Sequence, residues 1–458
     1  MSDVLASLLF AAASALPGQP GLPRQSTQPA QPTQESEPAA ILPLRERAAL
    51  IDGWLGTRLD TLIPKLMRRE GIDLWILIAR EYDEDPVVET MLPATWLRAR
   101  RRTILVFHDA GAEMGVERLS VSRYDVGGLF PGAWNPEREP DQWKRLVSLV
   151  TERDPDKIAL DRSSDFALAD GLSSSEYERL VAALPERLRS RIVSAESLAL
   201  GWLETRIPEE MQRYPGIVAL AHRLIAEGFA AVQPGTTTTE DLEWWYRQRI
   251  LELGLDTWFH PTVDLQGSDA PEARAASFAS RRGPETIQPG DLVHLDFGIT
   301  YLRLNTDTQQ LAYVLREGES DAPEGLKAAL TIGNKLQDLL TSSFQAGRSG
   351  NEILRTALDK ARSAGIEATI YSHPLGYHGH AAGPTIGLWD QQDGVKGTGD
   401  YKLHPDTAFS IELSAAVPVP EWNGNKVQIM LEEDAYFDGE AVSYLDGRQT
   451  VLHLIGKH

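Results

Sequence analysis

A chain of 458 residues is long enough for two hydrophobic cores, and its 42% hydrophobic content, with 11 Trp, 11 Phe and 12 Tyr, can fill both. Forty-five Lys and Arg against 66 Asp and Glu leave a formal charge of −21, which argues against a phosphate-binding surface and makes nucleic acid a poor partner. The absence of cysteine excludes disulfides, thiolate metal sites and a cysteine nucleophile.

Residues 4–16, VLASLLFAAASAL, form an apolar run of signal-peptide length ending in the small-x-small triplet Ala13-Ser14-Ala15, yet the short segment before them carries Asp3 and no base. Localisation therefore stays open: periplasmic or secreted if residues 1–15 are a signal peptide, cytoplasmic otherwise. Residues 17–40, rich in Gln, Pro, Ser and Glu, read as a tether, so residues 1–40 are set apart as leader and linker. No later run is long and apolar enough to span a bilayer.

From about residue 43 the spacing predicts a helix stopped by Gly71. IDLWILIA (72–79), RRTILVFHD (101–109) and KIALD (157–161) read as buried strands, and SSSEYERLVAALPERLRSR as one capped helix opened by Ser175 and Glu176. Asp83, Glu84 and Asp85 read as a solvated charge run. Strands alternating with helices predict a smaller α/β domain over residues 41–200.

The remainder, residues 201–458, changes character. Two amphipathic helices flank Gln233-Pro234-Gly235, with Thr237 and Glu240 as a capping box for the second. DLVHLDFGI and NTDTQQLAYVL then read as a hairpin, NEILRTALDKARSAG as a helix, and AFSIELSAA and NKVQIMLEEDAYF as strands. Helices on one side of a mostly antiparallel sheet make this part α+β.

If the hairpin reverses at Tyr301 and Leu302, Asp296 faces Asp307 on the same side, and two facing carboxylates call for a cation between them. Period two places Glu412 opposite Phe409, Ile411 and Leu413, and turns Glu432 away from Ile429 and Leu431. Glu433 would share the apolar face, unless a bulge reverses the choice. Between these pairs SHPLGYHGHAAGPTIG, residues 372–387, carries His373, His378 and His380 among glycines that permit a tight turn. Four carboxylates and one imidazole suit Mn²⁺, Zn²⁺, Co²⁺ or Fe²⁺, and two divalent ions would balance the four negative charges.

PGDLVHLDFG followed by NTD resembles the pita-bread metallopeptidases (peptidase family M24), which include methionine aminopeptidase, Xaa-Pro aminopeptidase and Xaa-Pro dipeptidase. The resemblance covers residues 206–458, and the part before them is similar to the smaller domain of creatinase-like members. It implies an α+β pita-bread fold and two metal ions, Mn²⁺ above Co²⁺, Zn²⁺ or Fe²⁺. The ligands it implies are Asp296, Asp307, His373, Glu412 and Glu432, with Glu433 as the less certain acid. Glu412 would also act as base and proton shuttle, and His380, seven positions after His373, would face the substrate. The chain departs from the family in three places: no histidine occurs at Ser277-Phe278-Ala279-Ser280, Met430 replaces an arginine, and Leu413 replaces a proline. His260 is the candidate to compensate for the first, and Tyr377, Trp389 and Trp422 line the cleft or pack beside it.

The implied activity is hydrolysis by metal-activated water, removing an N-terminal residue or cleaving dipeptides with Xaa-Pro preference, in a homodimer. Hydrolysis of another amide or ester on the same centre, and a pita-bread protein that binds peptides without cleaving them, are the alternatives.

Overall fold

The computed structural model describes residues 36–268 and 283–456. The leader expected at residues 1–15 and the stretch Ser277–Ser280 lie outside them.

Helix α1 (Leu44–Glu70) buries Leu55, Leu59, Leu62, Ile63 and Leu66 along one stripe, and ends at Gly71, whose φ of 60° lets its N–H cap the last turn. It leads into β1 (Leu74–Arg80), where six consecutive buried residues mark a strand covered on both faces. α2 (Pro86–Met91), β2 (Arg102–Asp109), β3 (Val116–Ser120), α3 (Gln142–Arg153) and β4 (Ile158–Leu160) follow. After them come α4 (Ser174–Ala183), α5 (Glu186–Arg189), β5 (Ile192–Ser194) and α6 (Glu196–Glu204). The strands form one mixed sheet in the order β3-β2-β1-β4-β5, antiparallel at β1–β2 and parallel at β1–β4. Trp75, Leu77 and Phe107 face α1 and α6, while Ile76, Ile78 and Val106 face α3 and α4, so the sheet is covered on both sides. The single helix expected over SSSEYERLVAALPERLRSR is two, because Pro185 has no N–H to continue α4 and restarts the chain as α5.

Asp85 is a correction of another kind. Instead of standing in solvent it is fully buried, capping α2 through Oδ1, which accepts from the Val87 and Val88 N–H groups at 2.8 and 3.2 Å. Beside it lies Asp161, also buried, held by the Trp75 indole N–H at 2.7 Å. Burial pushes Asp85 up to about 7, and burial followed by the Asp85 charge holds Asp161 well above the carboxylate range. The folded protein therefore keeps protons that the unfolded chain releases from pH ~4 upward, so stability falls as pH rises from there to about 7. Asp161→Asn removes one charge and supplies an N–H to its neighbour. Between pH 5 and 8 the loss of stability in urea unfolding is expected to be smaller for Asp161→Asn than for the parent, by at least about 1 kcal/mol.

The second part begins with α7 (Pro208–Met211), α8 (Tyr214–Ala231) and α9 (Thr239–Glu252). The capping box of α9 is Thr238 with Asp241, one residue beyond the expected pair, because the Thr237 hydroxyl is engaged by the Gln233 N–H. Next come β6 (Thr262–Gln266), β7 (Leu292–Phe297), β8 (Thr300–Tyr301), β9 (Leu304–Asn305) and β10 (Thr308–Val314), then helices Glu324–Thr341 and Gly350–Ser363. β11 (Glu367–Ile370), β12 (His373–Leu375), β13 (Thr407–Ser410), β14 (Leu413–Pro418), β15 (Lys426–Leu431), β16 (Asp434–Phe437), β17 (Val442–Tyr444) and β18 (His453–Ile455) complete the chain. One sheet runs β18-β10-β7-β6; its Val293, Leu295 and Phe297 pack on α8 and α9. The opposite face, with Leu292 and Leu311, shares a core with the two later helices and β13 to β15.

The hairpin turns one residue later than expected. Tyr301 pairs with Leu304, so Leu302 and Arg303 are the turn residues, with φ of 54° and 65°. These are the signs of a I′ turn, whose positions are normally taken by Gly, Asn or Asp. Asp296 consequently faces Gln309 rather than Asp307, which lies diagonally on the same face. No helix among the described residues is long and apolar enough to cross a membrane.

Candidate metal centre

Three stretches of strand change sheet at the same level. β12, β13 and β16 belong to one sheet and β11, β14 and β15 to another, so the ladders break at Tyr371-Ser372, Ile411-Glu412 and Glu432-Glu433. A break in the ladder frees side chains to converge, as bulges do near active sites. The Gln309 backbone crosses to the third break, its N–H donating to the Glu432 carbonyl at 3.0 Å and its carbonyl accepting from the Glu432 N–H at 3.2 Å. That pairing brings β10, with Asp307, against the two glutamates.

The ligand atoms of Asp296, Asp307 and Glu432 lie within 4.8 Å of one another, and so do those of His373, Glu412 and Glu432. Glu432 is common to both groups. A third group, Asp307, His373 and His380, overlaps them. Gln309 sits among the acids: its Nε2 donates to Glu412 at 2.7 Å and to Glu432 at 2.6 Å, while its Oε1 is 2.9 Å from His294 Nε2. Ser410 Oγ donates to the other oxygen of Glu432.

The imidazole of His373 shows that this donor set fits cations. Its Nδ1 donates to the Pro374 carbonyl at 3.0 Å, which turns Nε2 toward the acids. Nε2 is buried without a hydrogen-bond partner and faces oxygens of Asp307 at 3.5 Å, Glu432 at 3.5 Å and Glu412 at 3.8 Å. Three buried carboxylates gathered around one unpartnered ring nitrogen call for positive charge among them. Asp296 Oδ1 is likewise buried and unpartnered. Burial first, then the Glu432 charge, pushes Asp296, Asp307 and Glu412 well above the usual carboxylate range. Nitrogen and oxygen donors without sulfur suit hard or borderline divalent ions.

The model of metallopeptidase family M24 matches residues 209–437, half of the chain, and the convergent acids and His373 lie inside that span. The chain belongs to metallopeptidase family M24. Among solved structures, the X-Pro aminopeptidase of Thermotoga maritima MSB8 matches with a TM-score of 0.60 at 17% identity, over 85% of this chain and 100% of that one. Dipeptidase PepE of Mycobacterium ulcerans matches with 0.59 at 15% identity, over 89% and 98%. The Xaa-Pro dipeptidase of Bacillus anthracis matches with 0.56 at 15%, over 90% and 100%. At these identities the likeness is one of fold. No curated protein sequence matches the chain. A dinuclear cluster within an M24 domain makes the protein a metal-dependent hydrolase, with an α/β part preceding its pita-bread domain.

The other candidates of this M24 chain fall in varied surroundings. Glu433 points away from the cluster and is gripped by His222 at 2.9 Å, Gln310 at 3.1 Å and the Gln449 N–H at 2.8 Å. Burial alone would lower His222, but Glu433 and Asp446 outweigh it and leave its pKa at about 10, so the ring is charged. His380 stands edge-on to His373 at 4.7 Å and opens onto a cavity of about 500 Å³ that Tyr377 also lines. His260 packs instead against α9, its Nε2 3.7 Å from Glu243 and its ring 5.0 Å from Trp244. Trp389 contacts Tyr371, whose ring is 5.2 Å from that of His373. Trp422, expected beside the cleft, is 1% exposed in the core with Val419 and Ile429.

Several site residues escaped sequence reasoning. Trp258, two positions before His260, lies 5.0 Å from His380, with its indole N–H on the Thr306 carbonyl at 3.1 Å. It comes so close to Gly379 that a Cβ there would sit 2.1 Å from the indole. Asp434 is fully buried and accepts from the Asp307 N–H at 3.1 Å. Its place two residues after Glu432 was a usable signal, as was that of Gln309 two after Asp307.

Proposed function

We propose that the protein is a dinuclear metallo-exopeptidase that removes an N-terminal residue or cleaves dipeptides, with preference for Xaa-Pro bonds. The observation that supports it best is the unpartnered Nε2 of His373 facing three buried carboxylates inside an M24 domain. Asp296, Asp307 and Glu432 would hold one ion, and His373, Glu412 and Glu432 the other, with Mn²⁺ the favoured metal and Co²⁺, Zn²⁺ or Fe²⁺ alternatives. When bound, such a pair lowers the pKa of water and polarises the scissile carbonyl. Glu412 has one oxygen fixed by Gln309; its second oxygen accepts the proton of the attacking water and passes it to the leaving nitrogen.

His380 supplies the N–H for the carbonyl oxygen as negative charge develops there. Burial, then the neighbouring His373, lowers its pKa to about 4, so the ring is neutral across the working range and donates through one nitrogen. Trp258 and Tyr377 enclose the substrate, and Thr90 and Leu168 of the α/β part close the same cavity, which limits peptide length. Xaa-Pro preference draws on the named activities of two of the matching structures, an X-Pro aminopeptidase and an Xaa-Pro dipeptidase. A homodimer completes the proposal and is checked by sedimentation.

The test is metal content by mass spectrometry alongside hydrolysis of Ala-Pro, Met-Ala and longer Xaa-Pro peptides. The stripped protein is expected to be inactive and to regain turnover of Xaa-Pro peptides as two equivalents of Mn²⁺ are restored. Failure to cleave any of these peptides with Mn²⁺, Co²⁺ or Zn²⁺ would reject the reading.

A further inference from the structure

The cavity that opens beside His380 contains a cation that forms no ion pair among the described residues. Arg303 lines it together with Trp258, Tyr377, His378 and His380. It sits at the tip of the β8–β9 hairpin, half-buried, in the left-handed conformation that a non-glycine residue adopts under constraint. One nitrogen, Nη1, is anchored on the carbonyls of Leu92 at 2.9 Å and Thr90 at 3.5 Å. Nε and Nη2 have no hydrogen-bond partner among the described residues, and the guanidinium forms no ion pair there. The acid that shares the cavity, Glu89, is paired with Arg98 at 3.5 Å, and Asp52 is occupied by the Ala94 N–H at 2.7 Å.

A partly dehydrated guanidinium with two free N–H groups on one edge is a receptor for a planar carboxylate. This edge and His380 line the same cavity, whose size is that of a small-molecule site. We infer that Arg303 binds the C-terminal carboxylate of a di- or tripeptide whose scissile bond lies at the metal cluster, which makes Arg303 a specificity-determining residue for short free-acid peptides. The inference rests on the peptidase reading above and narrows it.

Calorimetry with the metal-loaded protein and uncleavable reduced-amide Ala-Pro tests it, comparing the free acid with its C-terminal carboxamide. The parent is expected to bind the acid at least about tenfold more tightly than the amide. In Arg303→Gln the acid-to-amide ratio should fall to about one, and Arg303→Lys should restore part of it, with melting curves confirming that both variants fold. An unchanged ratio in Arg303→Gln overturns the inference. A third probe, an amidated peptide carrying Glu, separates a side-chain carboxylate from a terminal one; Arg303-dependent gain by that probe alone overturns the terminal assignment. The binding ratio is readable whether or not the loaded parent cleaves peptides, so failure of the peptidase reading appears separately, in the turnover assay.

Discussion

Glu432→Gln is expected to lower kcat/KM for an Xaa-Pro peptide by about a thousandfold or more, and to reduce bound metal from two ions per chain to one or none. The reason is its shared position: Glu432 belongs to both the group with Asp296 and Asp307 and the group with His373 and Glu412. Its charge is also the first electrostatic cause, after burial, that drives Asp296, Asp307 and Glu412 toward protonation. Neutralising it therefore has opposite consequences for the two states of the protein. The stripped variant should be more stable than the stripped parent, by about 1–2 kcal/mol in urea unfolding at pH 8, because a buried repulsion is gone. The loaded variant should lose the stabilisation that metal gives the parent. A residue with a merely structural role would weaken both states. Retention of two metals with activity within tenfold of the parent would remove Glu432 from the centre.

The glutamates of the site were legible because strand alternation assigns each of them a face. Alternation turned Glu412 and Glu432 away from the core side, and the carboxylates at 296 and 307 stood in a hairpin otherwise built to pack. The partition between Glu432 and Glu433 followed the same parity even though the ladder breaks between them, since Leu431 keeps its face in the core and Glu433 is taken by His222. What the sequence hid has identifiable causes. Leu302 and Arg303 adopt positive φ without glycine or asparagine, so the turn centre moved and Gln309, not Asp307, faces Asp296. Gln309 itself carries no charge and reads as an ordinary strand residue until its amide is seen between two glutamates. His260 attracted attention by its chemistry, yet the neighbouring Trp258 is the residue whose ring reaches His380. Asp85 looked like surface because its neighbours are acidic, whereas its role is to cap a short helix from inside the core.

The buried ions behind the cavity set the second large effect. Arg58 of α1 is fully buried; it donates to the Thr205 carbonyl at 2.7 Å and to the Trp202 carbonyl, and pairs with Glu210 at 3.2 Å. Its guanidinium lies 4.4 Å from the Trp202 ring and 4.9 Å from that of Tyr377, and Arg206 stands 4.5 Å from the Tyr377 ring. Burial raises the pKa of Glu210, but the charges of Arg206 and Arg58 and the Tyr377 hydroxyl outweigh it and leave the carboxyl below its ordinary value. A depressed carboxyl contributes stability above its unfolded pKa and loses it as pH falls through the folded one. Arg58→Met keeps the volume and apolar contact of the stem but leaves two carbonyls and part of a buried charge uncompensated. The expected loss is about 3–5 kcal/mol at pH 7. The deficit should shrink on acidification as Glu210 takes a proton, and Arg58→Met with Glu210→Gln should recover part of it at pH 7. Tyr377, which lines the substrate cavity and donates to Glu210 at 2.6 Å, loses one of its two flanking cations, so KM should rise more than kcat falls. A loss below about 1 kcal/mol, with no pH dependence, would mean that the pair contributes no more than an exposed one.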